Sequence, residues 1–294
     1  MSRKILFVGV FTPNSTNVAQ ARGFLDNSWE TYAYDYRAKL REYSSAKSRD
    51  DDLIEKINEI QPHIILFSKC NMMASRVVDA ANLIGSSVLW YMDGMNNFNI
   101  ELIEKIKKVS YFVGGIEGVV QEAAKYNPNS EFIPQCPDDK MNYPLPDCDS
   151  KYDVTFIGNV RAPTGTHTDR QKYLDTVKFQ HFENVHGLEH NLVVNQSKIN
   201  LNFSHTSTEG TSVRLYKILA ARGFLLTTPW KGMDDLFTPG KDFDIFTSPA
   251  ELQEKIRYYL SNEDKREQIR THGFNTVQKY MPKNWARTII SLVE

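Results

Sequence analysis

The chain has 294 residues, 41% of them hydrophobic and 24% charged, with 35 Lys and Arg against 36 Asp and Glu for a formal net charge of −1. That length supplies cores for two ordinary domains, and the balance excludes a low-complexity or disordered chain and offers no transmembrane segment. Cys70, Cys136 and Cys148 have no CxxC spacing and the seven histidines no metal-ligand spacing, which argues against a disulfide framework and a zinc site and fits a reducing cytoplasm.

Short runs of branched apolar residues predict strands at 4–10, 31–36, 63–68, 87–92 and 111–113. Stretches with one apolar face predict helices between them, at 16–26, 51–60, 74–84, 100–107 and 118–125. Strands alternating with helices build a parallel sheet covered on both faces, because parallel neighbours need a crossover. Periodicity stops at 134–149, where four prolines and several aspartates read as a linker. A second alternating series follows, with strands at 153–157, 199–203, 224–228 and 243–246, and helices near 169–178, 191–196, 249–260, 263–280 and 284–293. The expected domains are therefore 1–149, joined by a terminal helix at 283–294, and 150–282. Residues 1–149 carry 16 Lys and Arg against 20 Asp and Glu, and the rest 19 against 16, so the second half suits a phosphate ligand and the first disfavours nucleic acid.

Within the second half, 209–228 reads as a glycine-bearing loop, a short helix and a buried strand. Ser212 is a candidate helix N-cap, and Arg214 in the first turn can offer its guanidinium fork to a phosphate. The plain alternative is an arginine paired with a surface carboxylate. Taken with Gly158, Asn159 and Arg161 after the strand at 153–157, the 197–202 segment containing Lys198, and the later runs 240–242 and 248–252, this order of motifs resembles the donor domain of GT-B glycosyltransferases. The likeness is nearest to the spore-maturation-type family and its phage relatives.

The resemblance implies an α/β GT-B fold: two Rossmann-like domains facing each other across a cleft, the C-terminal helix crossing back to the first. It implies sugar transfer from a nucleotide-diphosphate donor, UDP-sugar foremost, to a hydroxyl on a glycan, small molecule or protein, without a metal or further cofactor. Donor contacts are then expected from Gly158, Asn159, Arg161, Lys198, His205, Glu209, Gly210, Ser212, Arg214 and Lys217. The family usually has a glutamate at the Lys217 position, holding the ribose hydroxyls. A lysine cannot accept those bonds, and Arg214 with Lys217 on one helix face would instead present two charges to a diphosphate.

On the acceptor side, Asp93 follows the strand at 87–92 and resembles the general base of phage DNA β-glucosyltransferase, although an aspartate there is also an ordinary turn former. Gly9, Thr12 and Asn14 in the first strand-to-helix loop, which lacks GxGxxG, and Trp90, with Tyr91 and Phe98 as stacking rings, complete the expected acceptor side. Asp50, Asp51 and Asp52 resemble a metal-binding DXD element only superficially and read as a helix cap. A nucleotide-sugar epimerase, a non-catalytic nucleotide-binding relative and a DNA base glucosyltransferase stand as alternatives.

Overall fold

The computed structural model describes residues 3–160, 170–204 and 210–294. They form two compact units: Met1–Gln135 with Pro282–Glu294, and Cys136–Met281. The second unit starts ahead of the expected linker end, taking in the proline-rich segment.

In the first unit the order is β1 (Lys4–Gly9), α1 (Thr16–Leu25), β2 (Glu30–Asp35), α2 (Tyr36–Tyr43), α3 (Ala46–Ile60), β3 (Ile64–Ser68), α4 (Ser75–Asn82), β4 (Ser86–Tyr91), α5 (Ile100–Ile106), β5 (Tyr111–Gly114), α6 (Glu117–Ala123) and β6 (Ser130–Phe132). The strands make a parallel sheet in the order β2-β1-β3-β4-β5-β6. Ile64, Ile65, Leu66 and Phe67 are all buried, as a strand covered on both faces requires. The sequence reading did not anticipate α2 or β6. Only Tyr36 of α2 is buried, so it has no apolar stripe to detect, and it starts because the Asp35 carboxylate accepts from the Arg37 and Ala38 amides. Helix α3 begins at Ala46 behind its Ser45 cap, so Asp50, Asp51 and Asp52 lie inside it and are not the cap. They are engaged by Arg49, by Lys47 with Arg76, and by Tyr34 with Tyr43 respectively.

The second unit runs β7 (Tyr152–Ile157), α7 (Arg170–Leu174), β8 (Gln180–Phe182), α8 (Gly187–Asn195), β9 (Ser197–Asn202), α9 (Val213–Ala220), β10 (Leu225–Thr227), α10 (Met233–Leu236), β11 (Asp244–Ile245), α11 (Pro249–Ser261) and α12 (Glu263–Val277). Its parallel sheet has the order β11-β10-β9-β7-β8. Val154 and Phe156 of β7 enter one core with Ile199 and Leu201, while Ile157 joins Leu215 and Leu219 on the other face. Both sheets are wound alike: the second strand of each series (β2, β8) lies outside the first (β1, β7), and the third (β3, β9) lies on the first strand's other side. A doubly wound sheet of this kind binds ligands beyond the carboxyl ends of its strands, where the winding reverses. In the second unit that point lies between β7 and β9.

The last helix, α13 (Pro282–Val293), belongs to the first unit. It lies so close to α1 that a Cβ on Gly23 would meet the Pro282 carbonyl oxygen at 2.2 Å. Trp285 packs edge-on to Trp90 and Phe24, with ring centroids 5.2 and 6.2 Å away. Among the described residues no helix is long and apolar enough to cross a membrane.

Candidate functional site

Strand β7 is followed at once by Gly158, whose φ of +145° favours glycine. A Cβ there would lie 2.5 Å from Nη2 of Arg214, so the missing side chain is what lets the guanidinium rest against the strand end. Arg214 comes from the first turn of α9 and donates through Nη1 to Oδ1 of the buried Asn202, at the end of β9, over 3.0 Å. Asn202 is fixed in turn by Nδ2 donating to Thr227 Oγ1 at 3.0 Å. Arg214 and Arg170 both lie over the Phe156 ring, Cζ to centroid 5.3 and 5.4 Å, a favourable cation–π arrangement that carries no neutralising charge.

Burial pushes the Arg214 guanidinium down to about 10, with Arg170 adding to the effect, and burial alone takes Arg170 down to about 10. Lys217 is lowered by burial and by Arg214, against a raising influence of Asp138. His190, 6% exposed on α8, is pushed down to about 3 by burial, then by Lys217, Arg214 and His186. Arg170 Nη1 donates to the Asn159 carbonyl, while Arg170 Nε and His190 Nδ1 are buried without a hydrogen-bond partner among the described residues. Among the described residues no carboxylate forms an ion pair with Arg214, Lys217 or Arg170. Cations crowded together, partly desolvated and without an ion-paired carboxylate among the described residues are the electrostatic complement of a bound anion.

Gly158, Asn159, Gly210, Ser212, Arg214 and Lys217 thus gather around the reversal point of the second sheet. Gly210 is buried, with φ of +95°. Ser212 sits at the N-cap of α9 without a side-chain cap bond; its Oγ donates to Asn202 Oδ1 at 3.4 Å. Lys198 does not join them. It lies near the amino end of β9, at the opposite end of the strands, and pairs with Asp153 at 2.7 Å. Arg161, His205 and Glu209 lie outside the described residues.

In the first unit Asp93 follows β4, with Lys69 Nζ 2.5 Å from Oδ1 and Asn97 Nδ2 3.4 Å from Oδ2. Thr12 and Asn14 are exposed in the loop after β1, where the Thr12 carbonyl accepts from the Ser15 amide at 2.9 Å. Gly9 and Trp90 are packing residues instead of acceptor contacts. Gly9 is buried where a Cβ would strike Asn17 Oδ1 at 2.8 Å, and Asn17 uses that atom to accept from the Val10 amide. Trp90 is 1% exposed and wedged between Gly115 and Trp285, so its ring has no free face for a sugar. Tyr91 is buried too, whereas Phe98 is half-buried.

Residues 144–291, just over half of the 294, match the family described as glycosyl transferase-like. The chain belongs to the glycosyl transferase-like family. It is an enzyme that transfers sugar, and solved structures show its fold to be GT-B. HepE of Anabaena, in complex with UDP and glucose, is 12% identical with a TM-score of 0.66 over 98% of this chain and 98% of that one. A glycosyltransferase from Rickettsia africae ESF-5 is 12% identical, TM-score 0.69, over 99% and 98%. Sucrose-phosphate synthase from Thermosynechococcus elongatus is 8% identical, TM-score 0.66, over 99% and 98%. No curated protein matches the sequence.

One cation of the transferase's cluster, Arg170, and the neutral histidine packed against that cluster, His190, carry no signal in the sequence. Arg170 opens a helix of five residues with no motif around it. His190 is one of seven histidines without distinguishing spacing; only its packing against α9 reveals it.

Proposed function

We propose that this glycosyltransferase takes its sugar from a nucleoside diphosphate donor, a UDP-sugar foremost, and that Arg214, Lys217 and Arg170 receive the diphosphate. The supporting observation is the cluster of buried cations at the reversal point of the second sheet, with no ion-paired carboxylate among the described residues, together with the UDP complex of HepE, a protein of the same fold. As the bond between the anomeric carbon and the phosphate oxygen breaks, negative charge grows on the departing diphosphate. Fixed guanidinium and ammonium groups stabilise it without reorganising, a role that a divalent metal fills in other transferases. Nothing beyond the donor is then needed as cofactor. The acceptor hydroxyl forms the new bond to the anomeric carbon and passes its proton to Asp93, whose carboxylate is the candidate base beside β4.

Melting curves against a panel of UDP, GDP, TDP and CMP sugars identify the donor class, since a ligand that binds only the folded state raises the midpoint. Arg214→Met should abolish the UDP shift, and Asp93→Asn should leave that shift intact while reducing turnover to a small residual rate. An undiminished UDP shift in Arg214→Met overturns the donor assignment; undiminished turnover in Asp93→Asn overturns the base.

A further inference from the structure

The connection from β3 to α4 is unusual for a segment with no glycine. Lys69, Cys70 and Met72 have φ of 60°, 48° and 65°, in the left-handed region that side chains with a Cβ disfavour. Such backbone persists only where its surroundings over-determine it. Here the surroundings are specific. The Lys69 amide donates to the Trp90 carbonyl at 2.8 Å. Lys105 Nζ donates to the Cys70 carbonyl at 2.9 Å, and Arg49 Nη2 to the Met72 carbonyl at 2.7 Å. The Met72 amide donates to Glu101 Oε1 at 2.9 Å.

Arg49 is 0% and Lys105 3% exposed, and a buried cation is costly unless it is both paired and hydrogen-bonded. Each has its carboxylate, Asp50 for Arg49 and Glu101 for Lys105, and each spends a further N–H on the loop. One ion pair buried on both sides, Arg49 with Asp50, and one buried ammonium, Lys105 paired with a half-exposed Glu101, therefore serve one short connection. What that connection delivers is the Lys69 ammonium, set across the ends of β3 and β4 against one oxygen of Asp93.

We propose that Lys69 is the positioning residue for Asp93, and that Arg49 and Lys105 are the struts that hold its backbone in place. The inference rests on Asp93 being the base. With Oδ1 held by the ammonium, the carboxylate is fixed in rotation and Oδ2, which among the described residues has only the long contact to Asn97, is the oxygen left for the acceptor's proton. A merely structural clamp between the two loops would affect stability and leave turnover alone.

The test uses the full chain, once its donor is known from the melting panel, and measures kcat, KM for the donor and melting temperature. Lys69→Asn removes the amine but tolerates left-handed backbone, and Lys69→Arg keeps the charge. Lys69→Asn should lower kcat by about 10- to 100-fold with donor KM unchanged, Lys69→Arg should restore most of it, and adding Lys69→Asn to Asp93→Asn should cost nothing further. If Lys69→Asn leaves kcat unchanged while Asp93→Asn cuts turnover to its small residual rate, the positioning role falls and the base survives. An equal kcat loss from Lys69→Asn in both backgrounds also overturns it. Undiminished turnover in Asp93→Asn overturns the base, and the Lys69 role with it. Should Lys69→Asn fail to fold, Lys69→Gly, free of backbone strain, is read against the same outcomes.

Discussion

His190 shows how burial turns a side chain into a pH-dependent term in stability. It is held neutral down to about 3, against an ordinary value of 6.5, by burial first and then by Lys217, Arg214 and His186. Between those two values the unfolded chain binds a proton that the folded chain refuses. Stability therefore rises with pH through that window, by up to about 1.4 kcal/mol per pH unit. His190→Gln should flatten the profile of urea midpoint between about pH 4 and pH 7 relative to the native chain; parallel profiles would contradict it. At this scale the site was partly legible. Arg214 and Gly158 could be read ahead because a guanidinium in a first helical turn and a glycine after a strand each have a chemical reason to be there. Trp90 and Lys198 could not. Whether a strand residue meets a neighbouring helix, and which end of the sheet it occupies, depends on residues distant in sequence, such as Trp285 and Asp153.

Among the elements, α13 tests the packing most directly. Gly23 leaves room for the Pro282 carbonyl and the Ala286 side chain, so Gly23→Val must displace α13 from α1. The expected loss is about 1–3 kcal/mol, the usual cost of overpacking, read from urea unfolding; an unchanged midpoint would mean that α13 is not seated there. Helix α11 is readable because Leu252, Ile256 and Tyr259 recur along the face it turns to the core. Helix α2 and the three-residue strands β6 and β8 were not, because an element mostly exposed carries no apolar pattern. The start of α3 was misplaced by reading acidic residues as a cap when Ser45, five residues upstream of Asp50, does the capping.

For the molecule as a whole, two units each with its own sheet and core allow ligand-induced protection to be assigned to one of them. Saturating UDP, at about a hundred times its dissociation constant, should stabilise the fold by about 2.7 kcal/mol. Hydrogen exchange should slow chiefly at Gly158, Asn202 and the first turn of α9. Slowing confined to the first unit would contradict the donor assignment. Alternation of apolar runs with helical stretches determined, from the sequence alone, that the chain builds two parallel α/β sheets, because hydrophobic period and crossover length are local properties. Only tertiary structure decided that Arg170 and His190 join Arg214 and Lys217, where no carboxylate among the described residues forms an ion pair with the three cations, and that Lys69 grips Asp93. Those juxtapositions come from burial and from strand order, which bring side chains remote in sequence within reach of one another.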